Sequence, residues 1–133
     1  MDYTVGAPLA DRTIHLTRES LVRYAGASGD FNPIHYRDDV AERVGLPGVL
    51  AHGMLTMGLA SSVAVAALPA GARVSDFSVR FTRPVVVHPE EGAELRVVAV
   101  VGAVDEVSAR IDLTVTHGET AVLGKAQLRI ARD

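Results

Sequence analysis

Residues 24–62 read YAGASGDFNPIHYRDDVAERVGLPGVLAHGMLTMGLASS, and they place most of the reactive side chains of the chain beside glycine or proline. Asp30 and His35 flank a Phe-Asn-Pro-Ile segment that cannot continue a helix, because Pro33 has no N–H and biases the preceding residue toward extended backbone. The bend can therefore bring a carboxylate and an imidazole to one point. A His-Gly pair at residues 52–53 opens a long apolar segment, and a helix starting there would present free backbone N–H groups. We predict a site for proton transfer next to a carbonyl group.

Composition limits the classes of function that fit. The 133 residues are enough for one domain with its own core, which we expect to span residues 1–133. The hydrophobic share of 48% is high, so we expect a second subunit to cover part of the surface. The net charge of −3, without a run of like charges, argues against nucleic acid or an anionic membrane as partner. The absence of cysteine excludes disulfides, thiolate metal sites and cysteine nucleophiles.

The sequence shows no signal for export or for crossing a membrane. The N-terminal residues do not form a basic region followed by an apolar stretch, so we expect a cytoplasmic protein. The longest apolar run, residues 53–68, is shorter than the roughly 20 apolar residues that a bilayer requires. We therefore place this run in a protein core.

The first half of the chain predicts one strand and three helices. A short strand covers residues 13–16, and a helix over residues 18–27 follows Thr17 as N-cap and ends at the glycines near residue 29. A short helix capped by Asp38 runs to residue 44. The segment 53–68 is apolar on every side, which is typical of a helix enclosed all round.

The second half changes to a period of two. Apolar and polar residues alternate over residues 75–82, 95–101 and 107–116, and a last strand covers 121–130. Turns at residues 89–92 and 102–106 keep the strands close in sequence, which favours antiparallel neighbours. The sequence therefore predicts an α+β fold in which an antiparallel sheet wraps around one long helix.

The residues 24–35 and 51–54 carry a family likeness. They resemble the hydratase 2 motif of MaoC-like hotdog-fold enzymes, and the chain is most similar to the catalytic subunit of two-chain (3R)-hydroxyacyl-acyl-carrier-protein dehydratases. The resemblance implies a single hotdog domain, with a curved antiparallel sheet around a central helix. It also implies dimerisation edge to edge, as a homodimer or as a heterodimer with a related hotdog subunit.

The resemblance further implies a reaction and roles for four residues. The reaction is the reversible addition of water to a trans-2-enoyl thioester of CoA or acyl-carrier protein, with Asp30 and His35 as the catalytic dyad. We assign His35, whose ordinary pKa is near 6.5, as the principal base toward C2, although the sequence does not divide the acid and base roles. The Gly53 N–H would hold the thioester carbonyl. Ser61 matches a serine of the single-chain hydratases, and it would either line the pocket or let the sheet approach.

Two further residues are expected to support the dyad. Asn32 would fix the turn, and His52 would hold the entrance of the helix rather than act as a third catalyst. Asp30, His35 and His52 have the residue types of a metal site, but they lack the spacing of a helical zinc motif, so we predict no metal. No organic cofactor is needed, because the thioester itself acidifies C2.

Two other functions are compatible with the same family likeness. Hotdog domains also cleave acyl thioesters, so a thioesterase is an alternative enzyme. A non-catalytic, acyl-binding subunit of a heteromeric dehydratase is the alternative of a different class. The chain has no Gly-x-Gly-x-x-Gly, phosphate loop or Gly-x-Ser-x-Gly elbow, so nucleotide binding and a serine hydrolase are unsupported.

Overall fold

The computed structural model describes residues 2–132, which form three α-helices and six strands. The helices are α1 (Arg18–Ser28), α2 (Asp38–Arg43) and α3 (Gly53–Ala66), with a single 3-10 turn at Pro33–His35. The strands are β1 (Pro8–Leu16), β2 (Arg73–Phe81), β3 (Ala93–Val104), β4 (Ser108–His117), β5 (Thr120–Ala121) and β6 (Leu123–Ala131).

All six strands belong to one antiparallel sheet, and α3 packs across it. The strand order is β1-β3-β4-β6-β2, and the short β5 pairs with β4 off this path. The helix α3 contacts β1, β3 and β4. The predicted α+β class is confirmed. Within residues 2–132, no helix has both the length and the apolar character needed to cross a bilayer.

The core lies between α3 and the inner face of the sheet. Alternate residues of β3, β4 and β6 are buried there, as the period of two predicted for β3 and β4, while the residues between them are more exposed. Complete burial of each leucine, isoleucine or valine side chain stabilises the fold by roughly 1.5–3 kcal/mol. The largest fully buried side chains of the sheet are Leu95, Val97, Val101, Ile111, Val115, Leu128 and Ile130.

Pairing between strands moves several predicted boundaries. β1 begins at Pro8 rather than at residue 13, because β3 is long enough to pair with it as far as Val100. β3 continues through residues 102–104, where we predicted a turn, and a bulge after Val101 lets it do so. The last predicted strand is divided, because Val122 leaves β5 and bonds back to the Val115 carbonyl.

Helix caps in the first half follow the predictions with one exception. Thr17 caps α1 in a reciprocal capping box with Ser20, and Gly29 ends the helix with φ 76°. Asp38 is not a cap, because α2 begins at this residue and Arg37 takes the capping position. The Asp38 carboxylate instead forms an ion pair with Arg18, at 2.8 Å between Oδ1 and Nη2.

The prediction that α3 is enclosed on every side is wrong for this chain. Its buried residues, Thr56, Ala60 and Ala64, form a single face of small side chains against the sheet. The opposite face stays open, and Met54 is 58% exposed. The edge strand β2 is open as well, with Phe81 at its end 55% exposed. Hydropathy alone could not show this, because an apolar helix face looks the same whether its cover comes from its own chain or from another.

Gly92 is predicted to be a critical turn residue for stability. It has φ +69°, and a Cβ there would stand 2.1 Å from the Leu16 carbonyl oxygen, so the backbone would have to move. Gly118 has φ +60° in another turn with nothing within 4 Å. We expect Gly118→Ala to cost about 1–2 kcal/mol of unfolding free energy for the left-handed backbone alone. Gly92→Ala should cost about 1–3 kcal/mol more, because of the added clash.

Urea unfolding of the two variants beside the parent protein measures both losses. Equal destabilisation by the two substitutions would show that the contact between the 88–92 turn and Leu16 is not tight.

Candidate active site

The bend that follows α1 is built from a series of side chain to backbone hydrogen bonds. The Asp30 N–H donates to the Ser28 hydroxyl at 3.1 Å, and the Asn32 N–H donates to Asp30 Oδ1 at 3.1 Å. The Ile34 N–H then donates to Asn32 Oδ1 at 3.2 Å, which caps the 3-10 turn that Pro33 begins. Asn32 thus holds the turn through its side chain. The bend leaves one oxygen of Asp30, Oδ2, outside these bonds.

His35 has a defined tautomer because of its position. Its Nδ1 lies 2.7 Å from the Leu50 carbonyl oxygen. A carbonyl only accepts, so Nδ1 carries the proton and the neutral ring keeps a free lone pair on Nε2. That Nε2 lies 3.9 Å from Asp30 Oδ2. The ring is buried, whereas the Asp30 side chain is 51% exposed.

The spacing of Asp30 and His35 suits a shared ligand rather than a direct bond. At 3.9 Å, Oδ2 and Nε2 are too far apart for a hydrogen bond with each other. A single oxygen atom can nevertheless lie about 3 Å from both of them. The pair can therefore bind one water molecule or one hydroxyl group between a carboxylate and an imidazole.

His52 contacts both Asp30 and His35. Its Nε2 donates to the Asp30 carbonyl oxygen at 3.2 Å, and its ring stacks on His35 with centroids 3.8 Å apart. The edge contact with Tyr24, at 4.7 Å, closes the other side. His52 is only 1% exposed. Burial lowers its pKa below the ordinary value, and the neighbouring His35 lowers it further, against the opposing effect of the Asp30 carbonyl.

The same three residues also have nitrogen and oxygen atoms within 4.8 Å of one another, as in a metal site. Two features of the geometry disfavour coordination. The rings of His35 and His52 are stacked at an interplanar angle of 23°, so their in-plane lone pairs do not converge on one ion at the roughly 2.0–2.1 Å of a metal–imidazole bond. One nitrogen of each ring also bonds a backbone carbonyl. The arrangement favours proton transfer over metal binding.

The start of α3 forms one wall of a cavity that reaches His35. The first bonds of the helix run from the Leu55 and Thr56 N–H groups to the His52 carbonyl, so the preceding N–H of Gly53 remains available. A Cβ at Gly53 would stand 3.0 Å from the Phe81 ring, so only glycine fits there without displacing this ring. His35, Gly53 and Phe81 thus meet at a cavity of about 310 Å³.

The cavity contains some of the predicted site residues and also some that the sequence did not indicate. His35 and Gly53 line it, whereas Asp30 is not a lining residue and lies next to His35. Ser61 does not line it. This residue lies more than one helical turn beyond the lining residue Thr56, and its hydroxyl donates to the Gly58 carbonyl. Its role as a substrate contact stays a prediction.

Thr56 is a lining residue that sequence reasoning missed. Its signal was present, because a polar residue one helical turn after His52 lies on the same face of an otherwise apolar helix. The remaining walls come from Leu50, Ala51, Val122 and Leu123 and from residues 81–85.

Comparison with known proteins places this site in a family context. The family model described as MaoC like domain matches residues 3–123. The 3-hydroxyacyl-thioester dehydratase X of Mycobacterium tuberculosis is 37% identical over 79 residues, which are 59% of this chain and 27% of that protein. The (R)-specific enoyl-CoA hydratase of Rhodospirillum rubrum is 30% identical over 116 residues, which are 86% of this chain and 80% of that protein.

Solved structures show the same fold. A MaoC-like dehydratase superposes with a TM-score of 0.92 at 34% identity, over 99% of this chain and 41% of that one. The ChsH1-ChsH2 complex from Mycobacterium tuberculosis shares the fold at 17% identity, with a TM-score of 0.86 over 98% of both chains. The predicted hotdog fold is confirmed, and its structural neighbours include heteromeric assemblies. The chain spans well under half the length of the first relative and the first structure named here.

The depressed pKa of His52 predicts how stability depends on pH. An unfolded histidine titrates near pH 6.5, whereas folded His52 stays neutral to lower pH. Between these two pKa values the unfolded chain binds a proton that the folded chain does not. The contribution of neutral His52 to the unfolding free energy should therefore be fully present above about pH 7. The unfolding free energy should fall as the pH decreases through 6.5 toward about 5.

His52→Gln removes this titration and can keep an N–H donor toward the Asp30 carbonyl. We expect its unfolding free energy to fall less between pH 7 and pH 5 than that of the parent, as measured by urea unfolding at each pH. The control is His15→Gln, which removes an exposed histidine on β1. An unchanged slope in the His52 variant would show that this ring is protonated in the folded protein.

Proposed function

Because the chain belongs to the MaoC-like domain family, we propose that it catalyses the reversible addition of water to trans-2-enoyl thioesters, forming (3R)-3-hydroxyacyl thioesters. The observation that carries this proposal is the 3.9 Å separation of Asp30 Oδ2 and His35 Nε2 beside a cavity that also contains Gly53. The names of the two sequence relatives, a dehydratase and an (R)-specific hydratase, support the same reaction class.

In the hydration direction, one water molecule binds between Asp30 and His35. Asp30 accepts a proton from this water as its oxygen adds to C3, and protonated His35 gives a proton to C2. The proton then passes from Asp30 to His35 through an oxygen bound between them, either the product hydroxyl or the next water, which restores both groups. Dehydration runs through the same steps in reverse, with neutral His35 removing the C2 proton through the Nε2 lone pair that its tautomer leaves free.

The start of α3 supplies the third element of this chemistry. As the bond to C3 forms, negative charge develops on the thioester oxygen. The free N–H of Gly53, at the positive end of the helix dipole, donates to that oxygen. One donor of this type is worth roughly 3 kcal/mol of transition-state stabilisation in other enzymes. The apolar walls of the cavity, including Leu50, Val122 and Leu123, then contact the acyl chain.

Two substitutions test the dyad while keeping groups that can form its structural hydrogen bonds. Asp30→Asn keeps an oxygen that can accept from the Asn32 N–H, and His35→Asn keeps an N–H that can donate to the Leu50 carbonyl. Both variants lose the proton-transfer group itself. We expect each to lower the kcat/KM for crotonyl-CoA hydration at least about a hundredfold, measured by loss of enoyl absorbance.

The matched controls are Asp2→Asn and His15→Gln, both exposed and remote from the cavity. They should keep the parental rate, and all four variants should keep the parental unfolding profile. Hydration at the parental rate by both dyad variants would contradict this mechanism. Release of free thiol from acyl-CoA without any change in enoyl absorbance would identify a thioesterase instead.

The open surfaces of α3 and β2 support a further part of the proposal, namely that two copies of the chain associate through β2. This strand is an edge of the sheet, so the hydrogen-bonding groups of its outer side have no strand partner among residues 2–132. Val74 and Phe81 on this strand and Met54 on α3 are large apolar side chains that are exposed in one chain. Pairing through β2 would extend the sheet and cover part of this surface.

Sedimentation equilibrium tests this association. We expect a dimer at micromolar concentration and a weakened dimer in Val74→Glu, because the new charge would lie in the interface. Val107→Glu is the control, since Val107 is also an exposed valine but lies in the β3–β4 turn. A monomer at all concentrations would contradict the homodimer and leave a heterodimer with a related subunit.

A further inference from the structure

The distribution of ion pairs sets Arg83 apart from most cations of the chain. Six of the 13 lysine and arginine side chains form salt bridges with aspartate or glutamate, and two more donate to serine or to a backbone carbonyl. Arg83 makes neither kind of contact within residues 2–132. Among the cations without such contacts, it is the one that lines the cavity containing His35.

The backbone around Arg83 is fixed although its side chain is exposed. On one side, Thr82 is held by its N–H to the Val122 carbonyl and by its hydroxyl to the Ala121 carbonyl. On the other side, the Val85 carbonyl accepts from the Ala51 N–H at 2.9 Å. Pro84 further restricts Arg83 to extended backbone. The cavity rim therefore presents a guanidinium group on backbone that is fixed on both sides, and its N–H donors have no partner within residues 2–132.

Two more cations lie beside this rim. Arg80 and Thr82 flank Gly124 on the neighbouring strand, where a Cβ would stand 2.9 Å from the Thr82 methyl group and 3.7 Å from Arg80 Cβ. Lys125 follows Gly124 in a left-handed conformation, with φ 44°, at the bulge where the β2–β6 register shifts. Neither Arg80 nor Lys125 forms a salt bridge within the described residues. Three cations are thus attached to neighbouring backbone at this end of the sheet, on a chain whose net charge is −3.

We propose that Arg83 binds a phosphate group of the thioester carrier, and that Arg80 and Lys125 add to the attraction. The inference rests on the proposed function: Arg83 lines the same cavity as Gly53, so the carrier arm of a thioester held at Gly53 can leave the cavity past Arg83. Both CoA and acyl-carrier protein present a phosphate at the end of a pantetheine arm, and CoA adds further phosphates on its nucleotide. A guanidinium recognises such a group through paired N–H donors.

The test compares three thioesters that share an acyl group and differ in phosphate: crotonyl-CoA, crotonyl-phosphopantetheine and crotonyl-pantetheine. Arg83→Gln should lower kcat/KM about tenfold for the two phosphorylated substrates, mainly through KM, and clearly less for crotonyl-pantetheine. The control is Arg12→Gln, an exposed arginine without an ion pair on β1, at the opposite edge of the sheet. It should keep the parental preference.

The pattern across substrates identifies which phosphate is bound. Equal losses with CoA and phosphopantetheine assign the contact to the phosphate of the arm, whereas a loss with CoA alone assigns it to the nucleotide phosphates. Either pattern should weaken at high ionic strength. Equal losses for all three substrates, including the one without phosphate, would overturn the proposal.

A binding measurement separates this proposal from the catalytic one. Calorimetry with phosphopantetheine and with pantetheine should give a lower Kd for the phosphorylated compound, and Arg83→Gln should remove most of that difference. If the parent hydrates none of the substrates, the proposed function fails, and the calorimetry alone decides on Arg83. Identical Kd values for the two compounds in the parent protein would reject a phosphate contact at this rim.

Discussion

The candidate site depends on one short segment, residues 49–51, which joins the bend at residues 30–35 to the rest of the fold. The Leu50 N–H donates to the Ile34 carbonyl, and the Leu50 carbonyl accepts from His35 Nδ1. Its neighbours bond to residues 85–87 instead: the Ala51 N–H donates to the Val85 carbonyl, and the Val49 carbonyl accepts from the Val87 N–H. The segment is thus bound on one side to the bend and on the other to residues 85–87. This double attachment fixes the ring of His35 relative to the cavity rim.

The same segment leads directly into His52 and α3, which explains why three groups of different origin meet. Burial lowers the pKa of His52, which disfavours a second positive charge beside His35 in the stacked pair. Its other contact, to the Asp30 carbonyl, holds the backbone of the carboxylate from the helix side. A bend, a loop and a helix entrance are therefore coupled through two imidazole rings. Through this coupling His52 contacts both Asp30 and His35, although it does not line the cavity.

Much of this could be predicted from the sequence, and what failed has a common cause. The period of two over the second half predicted the strands, and the Thr17 and Gly29 signals predicted the limits of α1, because these features depend on local interactions. The bend at Pro33 predicted that Asp30 and His35 approach each other. The extended length of β1 and the open face of α3 were not predictable, because they depend on partners that are distant in sequence or on another chain.

Among the residues that line the cavity, those with a local sequence signal were also predictable and those without one were not. Gly53 was identified because it opens an apolar helix, whereas Arg83 was passed over, since an arginine before a proline in a loop has no local pattern that separates it from a solvated surface residue. Its position became informative only when the bonds of Thr82 and Val85 showed a rigid rim.

Each group assigned to the chemistry has one end bound within the protein and the other end free. Asp30 accepts from Asn32 with Oδ1 and keeps Oδ2; His35 donates from Nδ1 and keeps Nε2. The helix α3 makes its first bonds from Leu55 onward and keeps the N–H of Gly53. Unbound polar atoms carry a cost in a folded protein unless water or a ligand binds them. His35 and Gly53 line one cavity, and Asp30 Oδ2 lies 3.9 Å from His35 Nε2, so under the proposed function one polar, reacting group can bind all three.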